Sequence, residues 1–239
     1  MNRISKAEFL DRVAKSTALT GDHLASVTLE DLEIAGDALQ GAVFDHVHFL
    51  NCRFDGANLG ELHFQFCHFE NCSFVGSTLR SWQCTSSRFS ACRMDEAMVA
   101  AGHIETCLFD RCRAPRIMFE RVELVTNVWR DCELEEVCAT GVGLAMTIFD
   151  HCVMPKANFL GANLMACVFS GSDLTSADLR RANLMCADLS DAKLDGAQIS
   201  LANALGATVW RCSLQNVDLK DVTWDNIVGE PAEPVQPDQ

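Results

Sequence analysis

The chain has 239 residues, of which 49% are hydrophobic and 22% are charged, and its formal net charge is −14 at pH 7. This composition excludes a disordered chain, and the acidic excess argues against nucleic acid as a direct ligand, because phosphate binding needs Lys and Arg in excess. The chain has thirteen cysteines, an odd number, and its first residues lack the apolar core of a signal peptide. Both observations indicate reduced thiols. We therefore expect a cytoplasmic protein without a membrane span.

Residues 1–21 are predicted to form a short N-terminal capping helix and a lead-in. The sequence SKAE, from Ser5 to Glu8, matches a capping box. Phe9 and Val13 follow at a spacing that places them on one face of a helix. We expect this face to cover the first coil of the structure that follows.

Residues 22–226 carry an apolar pattern with a period of five, which fits neither a helix nor a simple strand. Steps of five from Leu24 to Trp224 meet apolar residues throughout, and no insertion breaks the register. These are the central positions. A second, smaller apolar set, the small positions, lies two residues before them, with Ala57 and Cys72 as examples. Both sets are predicted to fill the interior of the fold.

The individual five-residue units follow a recognisable consensus. Several read ANLGE, ANFLG, ANLMA, ADLRR, ANLMC and ADLSD, and the first half of the chain uses a looser Cys-x-Phe form, as in NCRFD and NCSFV. These units resemble the pentapeptide-repeat family, whose consensus is A(D/N)LXX around a central Leu or Phe. The resemblance covers roughly residues 22–226. It implies an all-β fold, a right-handed quadrilateral β-helix (pentapeptide-repeat solenoid) of about ten coils with a short N-terminal capping helix.

A spacing of twenty residues is visible in this sequence independently of the family, and it predicts that side chains of successive coils stack. The small positions include a thiol column, formed by Cys52, Cys72, Cys92, Cys112, Cys132 and Cys152. The central positions include an aromatic column, formed by Phe49, Phe69, Phe89, Phe109, Trp129, Phe149 and Phe169. The two residues after each central position are predicted to form corners of type II, which favour Pro first and Gly second. Pro115 and Gly56 obey this rule.

The end of the chain, GEPAEPVQPDQ, is rich in proline and acidic, and residues 227–239 are predicted to be a disordered tail. It offers no helix to cover the last coil, so we expect an open end near Trp210, Trp224 and Ile227. An open β-coil end is an edge that invites pairing, and some relatives of this fold dimerise end to end. These three residues are therefore the candidate dimer end.

No pattern in the sequence indicates catalysis, a cofactor or a metal. The thiol column is interpreted as packing, because free Cys behaves as a small buried hydrophobe. His48 and His68 are twenty apart and should stack on an outer face, but two histidines are fewer than the three or four ligands that zinc needs. We interpret them as surface residues, and predict no catalytic, cofactor-binding or metal-binding residue.

The resemblance implies a non-enzymatic, protein-binding rod. The best understood relatives are the quinolone-resistance pentapeptide proteins, acidic dimeric rods that imitate duplex DNA and bind DNA gyrase or topoisomerase IV. The charge of this chain has the right sign, although arginines interrupt the acidic surface of its middle coils. The alternative is an interaction scaffold, or an accessory protein of a secretion or regulatory system, with no topoisomerase role. Repeat solenoids present long rigid faces that suit either function.

Overall fold

The computed structural model describes residues 2–15, 17 and 19–232, and it is a β-solenoid with one short helix in that part of the chain. The all-β prediction is confirmed. No helix among these residues is long and apolar enough to cross a bilayer. The regular elements are β1 (Asn2–Arg3), α1 (Lys6–Ala14), β2 (Asp22–Ala25), β3 (Thr28–Glu30), β4 (Val43–Asp45), β5 (His48–Leu50), β6 (His63–Gln65), β7 (His68–Glu70), β8 (Thr78–Arg80), β9 (Gln83–Thr85), β10 (Arg88–Ser90), β11 (Met98–Ala100), β12 (His103–Glu105), β13 (Leu108–Asp110), β14 (Met118–Glu120), β15 (Glu123–Val125), β16 (Val128–Arg130) and β17 (Ile148–Asp150).

The strands form three parallel sheets that run along the rod. One has the order β1-β2-β4-β6-β9-β12-β15, the second β3-β5-β7-β10-β13-β16-β17, and the third β8-β11-β14. Pairing partners are twenty residues apart in register, as Phe49 with Phe69 and Phe69 with Phe89 show. Each strand therefore hydrogen-bonds to its equivalent in the next coil, as the sequence predicts.

The interior is filled by the central and small positions, which are all buried from Leu39 to Cys212. In the aromatic column, the ring of Phe69 lies 4.6 Å from the rings of Phe49 and Phe89, with interplanar angles of 1° and 4°. Phe109 and Trp129 stack at 3.8 Å. The predicted column is thus a stack of rings, which is close-packed from Phe49 to Trp129 and opens to 6.5 Å between Trp129 and Phe149.

The second corner residue has a positive φ along the rod, whether or not it is glycine. Gly56 has φ 65° and Asn51 has φ 52°. This conformation costs a non-glycine residue roughly 1 kcal/mol or more, but it directs the N–H along the rod axis. The N–H of Gly56 donates to Val75 O at 2.8 Å, and that of Asn51 donates to Glu70 O at 3.0 Å. The bond to the next coil compensates the strain, so glycine is favoured here but not required.

The sequence predicts about ten coils, whereas the two largest sheets contain seven strands each and define about seven turns. After β17 the chain keeps the twenty-residue register through single-residue bridges, as far as Thr208 with Val228. The cause lies in the corners. In a closed corner the N–H of the small position donates to the central carbonyl three residues earlier, as Ala162 N does to Phe159 O at 2.9 Å. This bond folds the residue after the central position out of the strand.

Helix α1 packs against the first coils in the way the sequence predicts. The side chain of Ser5 accepts a hydrogen bond from the N–H of Glu8 and so caps the helix. Phe9 is fully buried, and its ring meets that of Phe44 edge-on at 6.0 Å. Arg12 pairs with Asp22 at the start of β2 and fixes the helix to the solenoid.

At the other end, residues 227–232, which the sequence assigns to the tail, still pair with the last coil. The N–H of Val228 donates to Ala207 O at 2.9 Å, and the N–H of Arg211 donates to Glu230 O at 2.8 Å. The rest of the predicted tail, residues 233–239, lies outside the described residues.

Candidate functional site

The C-terminal end of the rod carries an apolar pocket of about 220 Å³. No helix or further coil among the described residues covers the last coil. The side chains that would face another coil therefore line this pocket. Its lining residues are Val209, Leu214, Leu219, Trp224, Ile227 and Pro231. Two of the three residues predicted for a dimer end, Trp224 and Ile227, therefore lie together in one apolar surface.

Trp210, the third predicted residue, lies beside this pocket and does not line it. Its side chain stands on the outer face and is 53% exposed. Gly229 passes over the ring so closely that a Cβ there would come within 2.7 Å of it. The absence of a side chain at Gly229 lets the chain cross Trp210, and the two residues together extend the apolar surface along one side of the rod.

Ion pairs between coils neutralise most of the basic side chains of the middle coils. Arg113 donates to Glu133 at 2.6 Å in the next coil and to Asp95 at 3.0 Å in the previous one. Arg116 pairs with Glu96, and these hydrogen-bonded carboxylates raise the pKa of both exposed guanidinium groups. Such exposed pairs contribute little to stability. Their consequence is that few free cations interrupt the acidic surface.

The Asp or Asn of the repeat consensus has a structural role in the C-terminal coils. Its side-chain oxygen accepts a hydrogen bond from the backbone N–H two residues later. Asp173 accepts from Thr175 N at 2.9 Å, and Asn158 accepts from Leu160 N at 3.2 Å. A closed corner leaves this N–H without a backbone partner, which explains why the consensus requires Asp or Asn. At Asp positions the bond also fixes a carboxylate on the outer surface.

The thiol column is buried, and each thiol contacts the corner of the previous coil. The Sγ–H of Cys72 donates to Phe49 O, and that of Cys92 donates to Phe69 O, both at 3.4 Å. These carbonyls belong to open corners, which lack the turn bond of a closed corner, and the thiol is a side-chain donor to them. In the neighbouring column of Cys67, Cys107 and Cys167, burial raises the pKa of the Cys67 and Cys167 thiols to about 12, so these two thiols stay protonated at neutral pH. The column packs and hydrogen-bonds, as a structural element.

Asn127 occupies a small position and is fully buried. Its Oδ1 accepts from Cys107 N at 2.9 Å, and its Nδ2 donates to Ile104 O at 2.8 Å. The side-chain amide of Asn127 therefore bonds to both backbone groups that a turn bond would join in a closed corner. The same role explains Thr147, whose hydroxyl donates to Leu124 O at 2.8 Å.

The model of the family described as pentapeptide repeats matches residues 149–181 and 182–221, in eight copies. Residues 149–221 therefore consist of pentapeptide repeats. The matched segment begins within one repeat of the last open corner, at Cys152, so the consensus describes the closed-corner coils. The N-terminal coils keep the same register with different corner chemistry.

Three solved structures illustrate what this chain is similar to. HetL, described as involved in heterocyst differentiation regulation, from the cyanobacterium Nostoc sp. strain PCC 7120, is 19% identical, with 94% of each chain covered and a TM-score of 0.45. A trypsin-treated form of QnrB1, a plasmid-mediated fluoroquinolone resistance protein, is 19% identical, with 88% of this chain and 92% of QnrB1 covered and a TM-score of 0.43. Rfr23 from the cyanobacterium Cyanothece 51142 is 28% identical, with 41% and 64% covered and a TM-score of 0.36. No curated protein matches the sequence.

Proposed function

We propose that this chain is a non-enzymatic, protein-binding rod that imitates DNA and binds a type II topoisomerase such as gyrase or topoisomerase IV. The observation that supports the proposal is the excess of carboxylates on the outer faces, where many cations are held in ion pairs. A DNA-binding surface is basic, and a rod with a net charge of −14 complements it.

The positions of the free carboxylates support the same proposal. In the C-terminal coils, Asp173, Asp188 and Asp218 are each held by a backbone N–H at 2.9 Å and face outward. Fixed charges cost little side-chain entropy when a partner binds, in contrast to charges on mobile side chains. The rod therefore presents acidic groups at defined points, as a DNA backbone presents its phosphates.

The test is a gyrase supercoiling assay with and without ciprofloxacin, using two matched variants. The triple variant D173N/D188N/D218N removes three negative charges, and Asn keeps the corner bond, as Asn158 does. The triple variant R181Q/K193Q/K220Q changes the net charge by the same amount in the opposite direction, in the same coils. We expect the wild type and the second variant to inhibit gyrase or protect it from the drug, and the first to do so at least about tenfold more weakly.

An absence of any effect of the wild type on gyrase and topoisomerase IV at micromolar concentration would end the topoisomerase proposal. Equal activity of the two triple variants would end the DNA-mimicry part of it. In the first case the rod remains a protein-binding solenoid, and the alternative of a scaffold in a secretion or regulatory system becomes the working proposal.

We also propose that two copies of the chain associate through their C-terminal ends. The apolar pocket there is the supporting observation, together with Ile227 and Val228, which are 40% and 50% exposed. A second copy offers an identical apolar surface that can meet it across a twofold axis.

Sedimentation equilibrium tests this association. We expect the wild type to form a dimer and Ile227→Asp to sediment as a monomer, because a carboxylate buried in an apolar interface has no partner. Val153→Asp is the matched control, since Val153 is 47% exposed on the side of the rod. A monomeric wild type, or a dimer that tolerates Ile227→Asp, would contradict the end-to-end arrangement without affecting the topoisomerase test.

A further inference from the structure

Two histidines and one glutamate lie together on an outer face of the rod, near its N-terminal end. His48 and His68 are paired in the parallel strands β5 and β7, and Glu70 lies two residues after His68. Because side chains of a strand alternate between two faces, all three point outward on the same side of the sheet. The imidazole rings stack at 4.7 Å with an interplanar angle of 5°.

The distances within this cluster are close to those of a metal site. The Nε2 of His48 and the Oε2 of Glu70 are 3.3 Å apart. Zinc ligands at about 2.0–2.2 Å in a tetrahedral arrangement are separated by about 3.3–3.5 Å. One ligand atom from each of the three residues lies within 4.8 Å of the other two. Closing the widest separation requires about 1.5 Å of side-chain movement at most.

The hydrogen bonding of the cluster is incomplete. The Nε2 of His48 is shielded from solvent and makes no well-formed hydrogen bond among the described residues, although the Glu70 carboxylate lies 3.3 Å away. A shielded polar atom without a partner is uncommon and calls for an explanation. The Nε2 of His68 has only a contact of 3.3 Å with the Ser90 hydroxyl. A bound cation would satisfy both nitrogens together with the carboxylate of Glu70.

The neighbouring cation does not block the cluster. Arg88 follows His68 in the same column, but its guanidinium donates to Ser90 at 2.9 Å and to Asp110 at 3.4 Å. Its charge is therefore held toward the next coil. On the other side, His48 pairs with Thr28, which carries no charge. The side chain of Glu70 is half exposed, so the carboxylate can reach the histidines.

We propose that His48, His68 and Glu70 form a binding site for Zn²⁺ on the outer face of β5 and β7. Two imidazole nitrogens and a carboxylate are ligands that zinc accepts, and three protein ligands leave the fourth position open to water. The ion links two successive coils through side chains, in addition to their backbone pairing. This site is independent of the proposed topoisomerase partner and of the C-terminal end.

The test is a titration of the chelator-treated, reduced full chain with ZnCl₂ in a calorimeter, followed by X-ray absorption of the one-to-one complex. We expect saturable binding of one Zn²⁺, a ligand shell of nitrogen and oxygen at about 2.0–2.1 Å, and no sulfur at about 2.3 Å. Loss of a residue that hydrogen-bonds to a metal ligand lowers the affinity of a metal site about 10- to 100-fold. His68→Gln and Glu70→Gln remove a ligand itself, so each should weaken Zn²⁺ binding at least about 100-fold.

His63→Gln is the matched control, because His63 is exposed on another face between Val43 and Gln83. It should bind Zn²⁺ as the wild type does, and circular dichroism should show the same fold for all variants. The site is refuted if the wild type shows no saturable binding. It is equally refuted if sulfur dominates the absorption spectrum, which would place the ion on cysteines, or if His68→Gln and Glu70→Gln bind Zn²⁺ as tightly as His63→Gln does.

Discussion

The N-terminal half of the rod (residues 22–151) and the C-terminal half (residues 152–226) share one register but satisfy their corners differently. In the C-terminal half the corners from Met154 to Val222 are closed by a turn bond. In the N-terminal half many corners are open, and a thiol, hydroxyl or amide from the next coil bonds to the central carbonyl. The same coil is therefore built with two hydrogen-bonding schemes.

Within the thiol column, the two schemes coincide with different residues at the small position. An alanine cannot reach the carbonyl of the previous coil, so that carbonyl accepts from its own turn, as Phe169 O does from Ser172 N below Ala192. A cysteine in the same column, such as Cys92, reaches Phe69 O and leaves the corner open. Leu144 O marks the transition, because it accepts both from Thr147 N and from the thiol of Cys167. The repeat consensus, with its Ala, describes only the closed scheme.

The largest expected difference between the halves lies in their central positions. Phe69→Ala removes a fully buried ring stacked on both sides at 4.6 Å and should lower the free energy of unfolding by about 3–5 kcal/mol. Leu179→Ala removes a smaller, equally buried side chain and should cost about 1 kcal/mol less. Urea unfolding followed by circular dichroism measures both. A smaller effect of Phe69→Ala than of Leu179→Ala would contradict the view that the aromatic column dominates the core.

A buried amide in the N-terminal half should have the next largest effect. Asn127→Ala leaves Cys107 N without its partner and removes one donor to Ile104 O, and we expect a cost of about 2–3 kcal/mol in the same unfolding measurement. Asn127→Cys should recover about half of this loss, because a thiol in the neighbouring column, that of Cys132, accepts from Cys112 N at 3.4 Å. If Ala and Cys are equally destabilising at this position, the side chain does not replace the turn bond.

The thiol column tests the comparison directly, since one column contains both kinds of residue. Cys92→Ala removes the donor to Phe69 O and should cost about 1–2 kcal/mol, whereas Cys92→Ser should retain most of the stability. The reciprocal change, Ala192→Cys, should not increase the stability, because Phe169 O already accepts the turn bond of its closed corner. Thermal unfolding of the three variants under reducing conditions gives the answer, and a stabilising Ala192→Cys would show that the corners are not distinct.

Much of this architecture follows from the sequence, because a period of five and a column spacing of twenty leave one way to stack the side chains. The N-cap at Ser5 and the glycines at second corners are local signals of the same kind. The sequence did not reveal the positive φ of residues such as Asn51, since the compensating bond comes from the next coil. It also did not separate open from closed corners, which depend on a residue one coil away, and so overestimated the number of strand-forming turns.

The proximity of Glu70 to His48 and His68 is not visible in the sequence, for a related geometric reason. Along the column of twenty-residue steps, His48 is followed by His68 and then by Arg88. Glu70 lies in a different column and reaches His48 diagonally across two strands, a relation that columns do not display. A search of each outward residue against its diagonal neighbours in the next coil would have found it. Of the three residues predicted for a dimer end, Trp224 and Ile227 line the apolar pocket and Trp210 lies beside it, and the dimer itself stays a prediction.

The smallest expected effect concerns the Asp or Asn of the consensus, whose role belongs to closed corners. Asp188→Ala removes the acceptor for Ser190 N at 2.9 Å and should cost about 1 kcal/mol. Asp188→Asn keeps an acceptor and should change stability by less than about 0.5 kcal/mol, although it removes a charge. Gln83→Ala is the matched control, since Gln83 occupies the same exposed position in the three-residue strand β9 and should also cost less than about 0.5 kcal/mol. The two costs should differ, because the backbone N–H two residues later is free only where a turn bond has drawn the chain out of the strand. If Gln83→Ala costs as much as Asp188→Ala, the position before the central residue has the same role in both halves.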